Sequence, residues 1–208
     1  MLLSTTSAKP IPLTPGRITV IRHGATEWSR SGRHTGKTDL PLLPEGETEA
    51  RELRTSLARL APPAAPVLVL TSPLTRARRT CNLAGFGPSA EVEAALAEWD
   101  YGDYEGLTIG QIREERPGWD LFADGCPGGE TVDDVAARVN GLLGRLRTRP
   151  VLEDEEVVVF SHGHLLRVLL ARWIGLPAVE ARHFELRAGG VGRVGWEHEW
   201  PTVELWNR

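Results

Sequence analysis

The sequence has little of what secreted, membrane-spanning or nucleic-acid-binding proteins need. Its two cysteines, Cys81 and Cys126, form no CxxC pair, and one possible bridge is too little for a disulfide framework. The longest apolar stretches, near 67–70 and 157–160, are far too short to span a bilayer. The net charge of −4 gives no basic surplus for nucleic acid or an anionic membrane. These absences favour a cytoplasmic protein without a nucleic-acid or membrane partner.

The composition is that of an ordinary globular domain. The 208 residues are 41% hydrophobic and 25% charged, and this length suits one domain with a sizeable core. The N-terminal stretch is rich in Pro, Ser and Thr, and it has no basic segment followed by a long apolar run, so it is not a signal peptide. We therefore predict a flexible leader over residues 1–16 and a single domain over residues 17–208.

Three short apolar runs predict buried β-strands at Ile18–Ile21, Val67–Leu70 and Val157–Phe160. None of them alternates regularly with polar residues, which is typical of strands covered on both faces of a sheet. Residues 183–206 contain short apolar stretches with glycine turns, which predicts an antiparallel edge. The alternation of strands and helices predicts a single three-layer α/β/α domain with a mostly parallel central sheet and helices on both faces.

Two of the predicted helices have a clear apolar face. One spans Glu45–Leu60 and is followed by a loop at 61–66. Its apolar residues at helical spacing are Ala50, Leu53, Leu57 and Leu60. The other begins at Thr131, where Asp134 is placed for a contact like that of a capping box.

The other two predicted helices follow the second and third strands directly. After Leu70, we expect Ser72 as the N-cap, Pro73 at the first helical position and Gly85 at the end. The last helix runs from about His164 to Trp173.

Each predicted strand is followed by a motif rich in polar residues. The motifs are RHGATEWS at 22–29, TSPLTRARRT at 71–80 and SHGHLLR at 161–167. Because ligands bind at the carboxyl ends of the strands in open parallel sheets, the three motifs should meet on one rim. They would bring His23 and His162 together with Arg22 and Arg76.

These residue types suit phosphoryl transfer. Arginine has a planar fork of donors that matches phosphate oxygens, and a neutral imidazole can attack as a nucleophile. Flanking arginines disfavour a second positive charge, which would keep His23 neutral. Gly24 and Gly163 lack side chains where backbone N–H groups could approach an oxyanion.

RHGATEW resembles the signature of the histidine phosphatase superfamily, which includes the phosphoglycerate mutases. HTGKTDLPLLPEGETEA at 34–50, TSPLTRARRT and SHGHLLR resemble further family motifs, and they occur in family order. LAEWDYGDYEGLT at 96–108 resembles a narrower branch, the acid phosphatases and sedoheptulose-bisphosphatase-like enzymes. The resemblance implies a phosphoglycerate mutase-like fold.

The resemblance also implies residue roles. His23 would be the nucleophile that becomes phosphorylated, Glu98 the proton donor and later the base, and His162 a catalytic partner that binds the phosphoryl group with Arg22 and Arg76. Other positions that match phosphate or substrate contacts are Ser29, His34, Thr35, Tyr101 and Arg167, to which the residue pattern adds Gly163. The substrate would be a small phosphorylated molecule, either a sugar phosphate or bisphosphate or the broad range of an acid phosphatase, and no metal or organic cofactor is implied.

Two departures from the mutase pattern favour hydrolysis. Ser29 stands where mutases usually have Asn, and residues 109–131 lack the longer insertion and the paired arginines that bind phosphoglycerate. Phosphoglycerate mutase activity is the alternative, and a phosphate-binding regulatory module without turnover is the alternative of another class. The presence of both histidines and Glu98 argues against the module.

A metal site is a further alternative, because four histidines lie in or near the motifs. They are His23, His34, His162 and His164. The HGH sequence at a strand end is not the i, i+4 helical pair of known zinc sites, and arginines beside the site would repel a cation. Rival proton donors to Glu98 are Asp100, Asp103 and Glu105. The sequence does not fix the oligomeric state, and a homo-oligomer is an open alternative.

Overall fold

A six-stranded sheet forms the centre of the protein, whose structure is a computed structural model that describes residues 16–60, 68–148 and 156–208. The strands are β1 Arg17–Arg22, β2 Leu68–Thr71, β3 Ala90–Val92, β4 Glu156–Ser161, β5 Val191–Glu197 and β6 Trp200–Leu205. Their order across the sheet is β3-β2-β4-β1-β5-β6. Strands β1 to β4 pair in parallel, whereas β5 pairs antiparallel with β1 and with β6. The mostly parallel sheet and its antiparallel edge are both confirmed.

The described helices include all four that the sequence predicts. They are α1 Glu27–Ser31, α2 Pro44–Leu60, α3 Thr75–Leu83, α4 Ile109–Glu115, α5 Leu121–Asp124, α6 Val132–Thr148 and α7 Gly163–Trp173. Short 3₁₀ helices lie at Gly87–Ser89, Ala94–Leu96, Gly102–Tyr104 and Ala178–His183. The predicted helix at 45–60 begins one residue early, as α2, and the helix predicted from His164 begins at Gly163.

Side chains from the central strands pack into two separate cores. Ile18 and Val20 of β1 belong to one core, which also contains the apolar faces of α6 and α7. Ile21 of β1, with Val158 and Phe160 of β4, belongs to the other core, against α2 and α3. The sheet is therefore covered by helices on both faces, and the three-layer prediction is confirmed.

The helix termini largely follow their predicted capping residues. The Thr131 N–H donates to the Asp134 carboxylate at 2.9 Å, and the Asp134 N–H donates to Thr131 Oγ1 at 3.2 Å. This reciprocal pair confirms the capping contact at the start of α6. Gly85, with a φ of 93°, comes just after the end of α3, as predicted.

The start of α3 differs from the prediction, which placed Ser72 at the N-cap and Pro73 at the first helical position. The helix begins at Thr75. Ser72 still continues the strand ladder, since its N–H donates to Phe160 O at 2.9 Å. Asp39 supplies the cap from a separate loop, because its carboxylate accepts from the Thr75 N–H at 2.9 Å and from the Thr75 hydroxyl at 2.6 Å.

Some predictions fall outside the described residues. They concern the leader at 1–15, the side chain of Leu60, the loop at 61–66 and the strand position Val67. Within the described ranges, no helix has both the length and the apolar character needed to cross a membrane.

Candidate active site

The three predicted motifs meet at the carboxyl ends of three adjacent strands. In the sheet, β4 lies between β2 and β1, and the register pairs Arg22 with Ser161 and Thr71 with Phe160. The ladder continues beyond the strands, because the His23 N–H donates to Ser161 O at 3.0 Å. The rim predicted from the parallel sheet is confirmed.

His23 is nearly buried, with 4% of its surface exposed. Its Nδ1 lies 2.8 Å from Gly24 O, and because a carbonyl only accepts, Nδ1 is the protonated nitrogen. Nε2 then carries a lone pair, and no hydrogen-bond partner for it occurs in the described part of the chain. Burial lowers the pKa of His23 well below its usual 6.5, and the charges of Arg22 and Arg76 lower it further. The ring is therefore a neutral imidazole at pH 7, as a nucleophile requires.

Arg22 reaches the site beside the first residue of α7. Its Nη1 donates to Leu186 O at 2.6 Å. A Cβ at Gly163 would lie 3.0 Å from Arg22 Cζ, so the glycine leaves room for the guanidinium. The sequence predicts that the Gly24 N–H approaches an oxyanion. In the structure this N–H donates to Thr80 Oγ1 at 3.1 Å instead.

Arg76 is fully buried and is held by the loop that follows His34. Its Nη1 donates to Thr38 O at 2.9 Å, and its Nη2 donates to Thr35 O at 2.8 Å and to Gly36 O at 3.0 Å. The Glu105 carboxylate holds the same loop, because it accepts from the Gly36 N–H at 2.9 Å and from the Thr38 N–H at 3.0 Å. These contacts fix the guanidinium in one orientation.

His162 lies edge-on to His23, with the two ring centroids 5.2 Å apart. It occupies the N-cap position of α7 and is fully buried. Its Nε2 lies 2.7 Å from Ser72 Oγ. Burial lowers the pKa of His162 well below its usual value, with further lowering by Arg76 and by His23.

Three buried polar atoms around His23 have no hydrogen-bond partner among the described residues. They are Arg22 Nε, Arg76 Nε and His162 Nδ1. Buried polar atoms nearly always have a partner, so a group of three in one place indicates a binding site for a polar ligand. Two of the three are guanidinium N–H donors, which match the oxygens of an anion. The site is therefore equipped for a phosphoryl group.

A cavity of about 290 Å³ opens beside His23. The predicted site residues that line it are His23, Glu98, Arg22, Ser29, His34, Thr35, Tyr101, Gly163 and Arg167. The other two, Arg76 and His162, are fully buried next to His23. The structure thus brings all the predicted site residues to one place.

Glu98 is oriented by backbone N–H groups at the start of α7. Its Oε1 accepts from Leu165 at 3.0 Å and from Trp99 at 2.9 Å, and its Oε2 accepts from His164 at 3.2 Å. A carboxylate is favourable at a helix N-terminus, where the N–H groups have no intrahelical acceptor.

The rival acids of the sequence prediction do not line the cavity within the described chain. Asp100 pairs with Lys37 at 2.6 Å, and Glu105 binds the loop that holds Arg76. Asp103 is exposed. Glu98 is therefore the carboxylate that lines the cavity within the described chain.

The outer wall of the cavity contains two neutral histidines. His34 Nδ1 donates to Leu107 O at 2.9 Å, and His164 Nδ1 lies 2.6 Å from the Tyr101 hydroxyl. Burial lowers the pKa of His34, and it lowers the pKa of His164 to well below the usual value. Both rings therefore keep one nitrogen, Nε2, for a hydrogen bond with a ligand.

Three other predicted contacts are largely occupied within the protein. The Ser29 hydroxyl accepts from the Thr26 N–H at 2.8 Å in the capping box of α1. The Thr35 carbonyl accepts a hydrogen bond from Arg76 Nη2 at 2.8 Å. Arg167 donates from Nε and Nη2 to two carbonyls, at 3.0 and 2.9 Å, so one of its guanidinium nitrogens, Nη1, is left for a ligand.

Comparison with known proteins agrees with this geometry. Residues 18–208 match the family model of the histidine phosphatase superfamily, branch 1. The chain belongs to the histidine phosphatase superfamily.

Within this superfamily, the chain is more similar in sequence to two relatives named as phosphatases than to one named as a probable mutase. An acid phosphatase of Mycobacterium tuberculosis is 40% identical over 88% of this chain and 87% of its own. A sedoheptulose 1,7-bisphosphatase of Saccharomyces cerevisiae is 38% identical over 79% of this chain and 69% of its own. A protein of Photorhabdus laumondii, named as a probable phosphoglycerate mutase, is less similar, at 31% over 88% and 86%. The predicted phosphatase is confirmed and is favoured over the mutase.

The fold prediction is confirmed in the same way. A solved open reading frame product of Mycobacterium tuberculosis superposes on this histidine phosphatase with a TM-score of 0.86 and 37% identity. The match covers 92% of this chain and 97% of the other.

The sequence prediction missed residues that hold the site from outside it. Arg138 donates to Ala95 O at 2.8 Å, to Ala97 O at 2.7 Å and to Glu98 O at 3.2 Å, while its Nε pairs with Glu130 at 2.8 Å. It thereby fixes the loop that carries Glu98. The one feature of the sequence that could have indicated this role is that Arg138 interrupts the apolar face of α6.

Metal binding was the rejected alternative for the histidines. In the residues that the structure describes, no group of three or more His, Cys, Asp or Glu side chains is placed to hold a metal ion.

Proposed function

We propose that this histidine phosphatase hydrolyses phosphomonoesters in two in-line steps through a phosphoryl group carried on His23 Nε2. The observation that carries the proposal is a group of three buried atoms, Arg22 Nε, Arg76 Nε and His162 Nδ1, around the His23 imidazole. Neither these atoms nor His23 Nε2 has a hydrogen-bond partner among the described residues. They supply the positive and polar surroundings that a phosphoryl group needs as its charge shifts in the transition state.

In the first step, the Nε2 lone pair of His23 attacks phosphorus and the ester P–O bond breaks. The leaving oxygen takes a proton from the Glu98 carboxyl, so the products are an alcohol, phospho-His23 and the Glu98 carboxylate. A basic alkoxide leaves poorly, and a positioned acid lowers this barrier.

In the second step, water attacks the phosphorus of phospho-His23 while the Glu98 carboxylate accepts a proton from it. The P–N bond breaks, its electron pair returns to Nε2, and inorganic phosphate leaves. The backbone N–H groups at the start of α7 hold the Glu98 side chain in one orientation for this step.

The polar side chains that line the cavity support a sugar phosphate or sugar bisphosphate as substrate, with broad acid phosphatase activity second. Because His34 Nδ1 donates to Leu107 O, its neutral ring presents Nε2 as an acceptor, which suits a hydroxyl group. Arg33 and Arg167 also line the cavity and could bind a second anion. Relatives named as an acid phosphatase and a sedoheptulose 1,7-bisphosphatase support the same classes.

The cytoplasm is the proposed location. Both cysteines, Cys81 and Cys126, are free and buried, as suits a reducing compartment.

A substrate panel tests hydrolysis against the mutase alternative. Offered 3-phosphoglycerate with its bisphosphate primer, the enzyme should release phosphate faster than it forms 2-phosphoglycerate. Sugar phosphates and bisphosphates in the same panel should be hydrolysed faster still. Dominant isomerisation would show that Ser29 and the short 109–131 segment were poor guides.

Chelation tests the metal alternative. Since guanidinium groups, not a cation, are proposed to neutralise the phosphoryl oxygens, phosphate release should be unchanged after exhaustive treatment with EDTA. Turnover that is lost in EDTA and restored by zinc or magnesium would contradict the mechanism.

A further inference from the structure

Ser72 contacts His162 deep in the protein, at the end of β2. Its Oγ lies 2.7 Å from His162 Nε2 and 3.2 Å from the Leu74 backbone nitrogen. Both Ser72 and His162 have 0% of their surface exposed, so bulk solvent does not reach either side chain.

The hydrogen positions follow from what each group can do. The Leu74 N–H can only donate, so Ser72 Oγ accepts from it. Among the described residues, the remaining partner for the single Ser72 hydroxyl proton is His162 Nε2. Donation by Ser72 requires an unprotonated Nε2, and the proton of the neutral ring then lies on Nδ1.

The location of this proton decides what His162 offers to a ligand. Its Nδ1 is buried and has no partner in the described part of the chain. A proton there makes Nδ1 a donor to a phosphoryl oxygen. The other tautomer would direct a lone pair at the anion, which is repulsive and leaves the ligand oxygen unpaired.

We infer that Ser72 is a positioning residue that holds His162 in the Nδ1–H tautomer, so that this N–H is available to a phosphoryl oxygen. The inference rests on the proposed function, since it concerns phosphoryl binding at the same site. A doubly protonated His162 ring would also carry a proton on Nδ1. It does not form at neutral pH, because burial, Arg76 and His23 keep the pKa of His162 low.

Nitrogen NMR of the folded enzyme with ¹⁵N-labelled histidine tests the tautomer directly. His162 of the unaltered protein should show a protonated Nδ1 and an unprotonated Nε2. In Ser72→Ala, the populations should shift towards Nε2–H. The inhibition constant of inorganic phosphate should rise, and kcat/KM should fall, by about ten- to a hundredfold, as for loss of one hydrogen bond to a charged ligand.

Two further variants separate positioning from packing. Ser72→Thr keeps the hydroxyl and should restore most of the phosphate affinity. Thr71→Val removes the neighbouring buried hydroxyl, whose hydrogen bond in the described structure goes to the Ser72 carbonyl and not to the Ser72 hydroxyl or His162, and it should leave phosphate affinity unchanged. A His162 ring protonated on Nε2 in the unaltered protein would overturn the inference, as would a Ser72→Ala variant whose phosphate affinity equals that of Thr71→Val. Failure of the unaltered enzyme to bind phosphate would instead count against the proposed function, whichever tautomer the spectrum shows.

Discussion

Replacing His23 with alanine is expected to abolish turnover. The side chain supplies the attacking lone pair, and the neighbouring imidazole of His162 has its Nε2 in a hydrogen bond with Ser72 Oγ. Loss of the nucleophile should lower kcat by about 10⁴–10⁶-fold, the range seen when a covalent catalyst is removed. Phosphate release from a sugar phosphate measures the effect.

The covalent intermediate itself can be trapped. Rapid quenching of enzyme with substrate should give a phosphoryl adduct on His23 that is labile in acid and stable in base, and His23→Ala should give none. His183→Ala is the matched control, because His183 is exposed and, among the residues that the structure describes, pairs with Glu180 alone, at 3.2 Å. An adduct that maps to His162 would reverse the roles assigned to the two histidines.

That His23 and His162 lie close together could be predicted without knowing the exact order of the strands in the sheet. Any parallel sheet brings the carboxyl ends of its strands to one edge, and both histidines directly follow buried strands. The two-faced burial of β1 and β4 was likewise visible as apolar runs without alternation. The apolar runs and the common edge of a parallel sheet were therefore enough to predict the fold and the position of the two histidines.

The supporting contacts could not be predicted, since they join residues that are distant in the chain. Ser72 and His162 are 90 residues apart, and the sequence around Ser72 is equally typical of a helix N-cap. Arg138 lies 40 residues from Glu98 and has no local motif. Ser29 differs from both, because its predicted ligand contact stays a prediction while its hydroxyl accepts from the nearby Thr26 N–H.

Glu98 has the role that depends most on resemblance, and Glu98→Gln tests it through the leaving group. The glutamine keeps an oxygen that can accept from Leu165 and Trp99 but cannot donate or accept a proton in catalysis. A strongly basic alkoxide needs a proton in the transition state, whereas a nitrophenolate leaves readily without one. Hydrolysis of a sugar phosphate should therefore fall far more than that of p-nitrophenyl phosphate.

The size of this difference should make it easy to measure, because general acid catalysis is typically worth about 10²–10⁴-fold. It applies to formation of phospho-His23, so single-turnover kinetics are the appropriate measurement. Dephosphorylation, where Glu98 acts as base, should slow equally for both esters.

Asp103→Asn is the matched control, since it removes one negative charge at an exposed position of the same segment and should leave hydrolysis of both esters unaffected. Equal single-turnover losses for both esters in Glu98→Gln would mean that Glu98 only positions the ligand or the start of α7, and Asp100 would then be the next candidate for the acid.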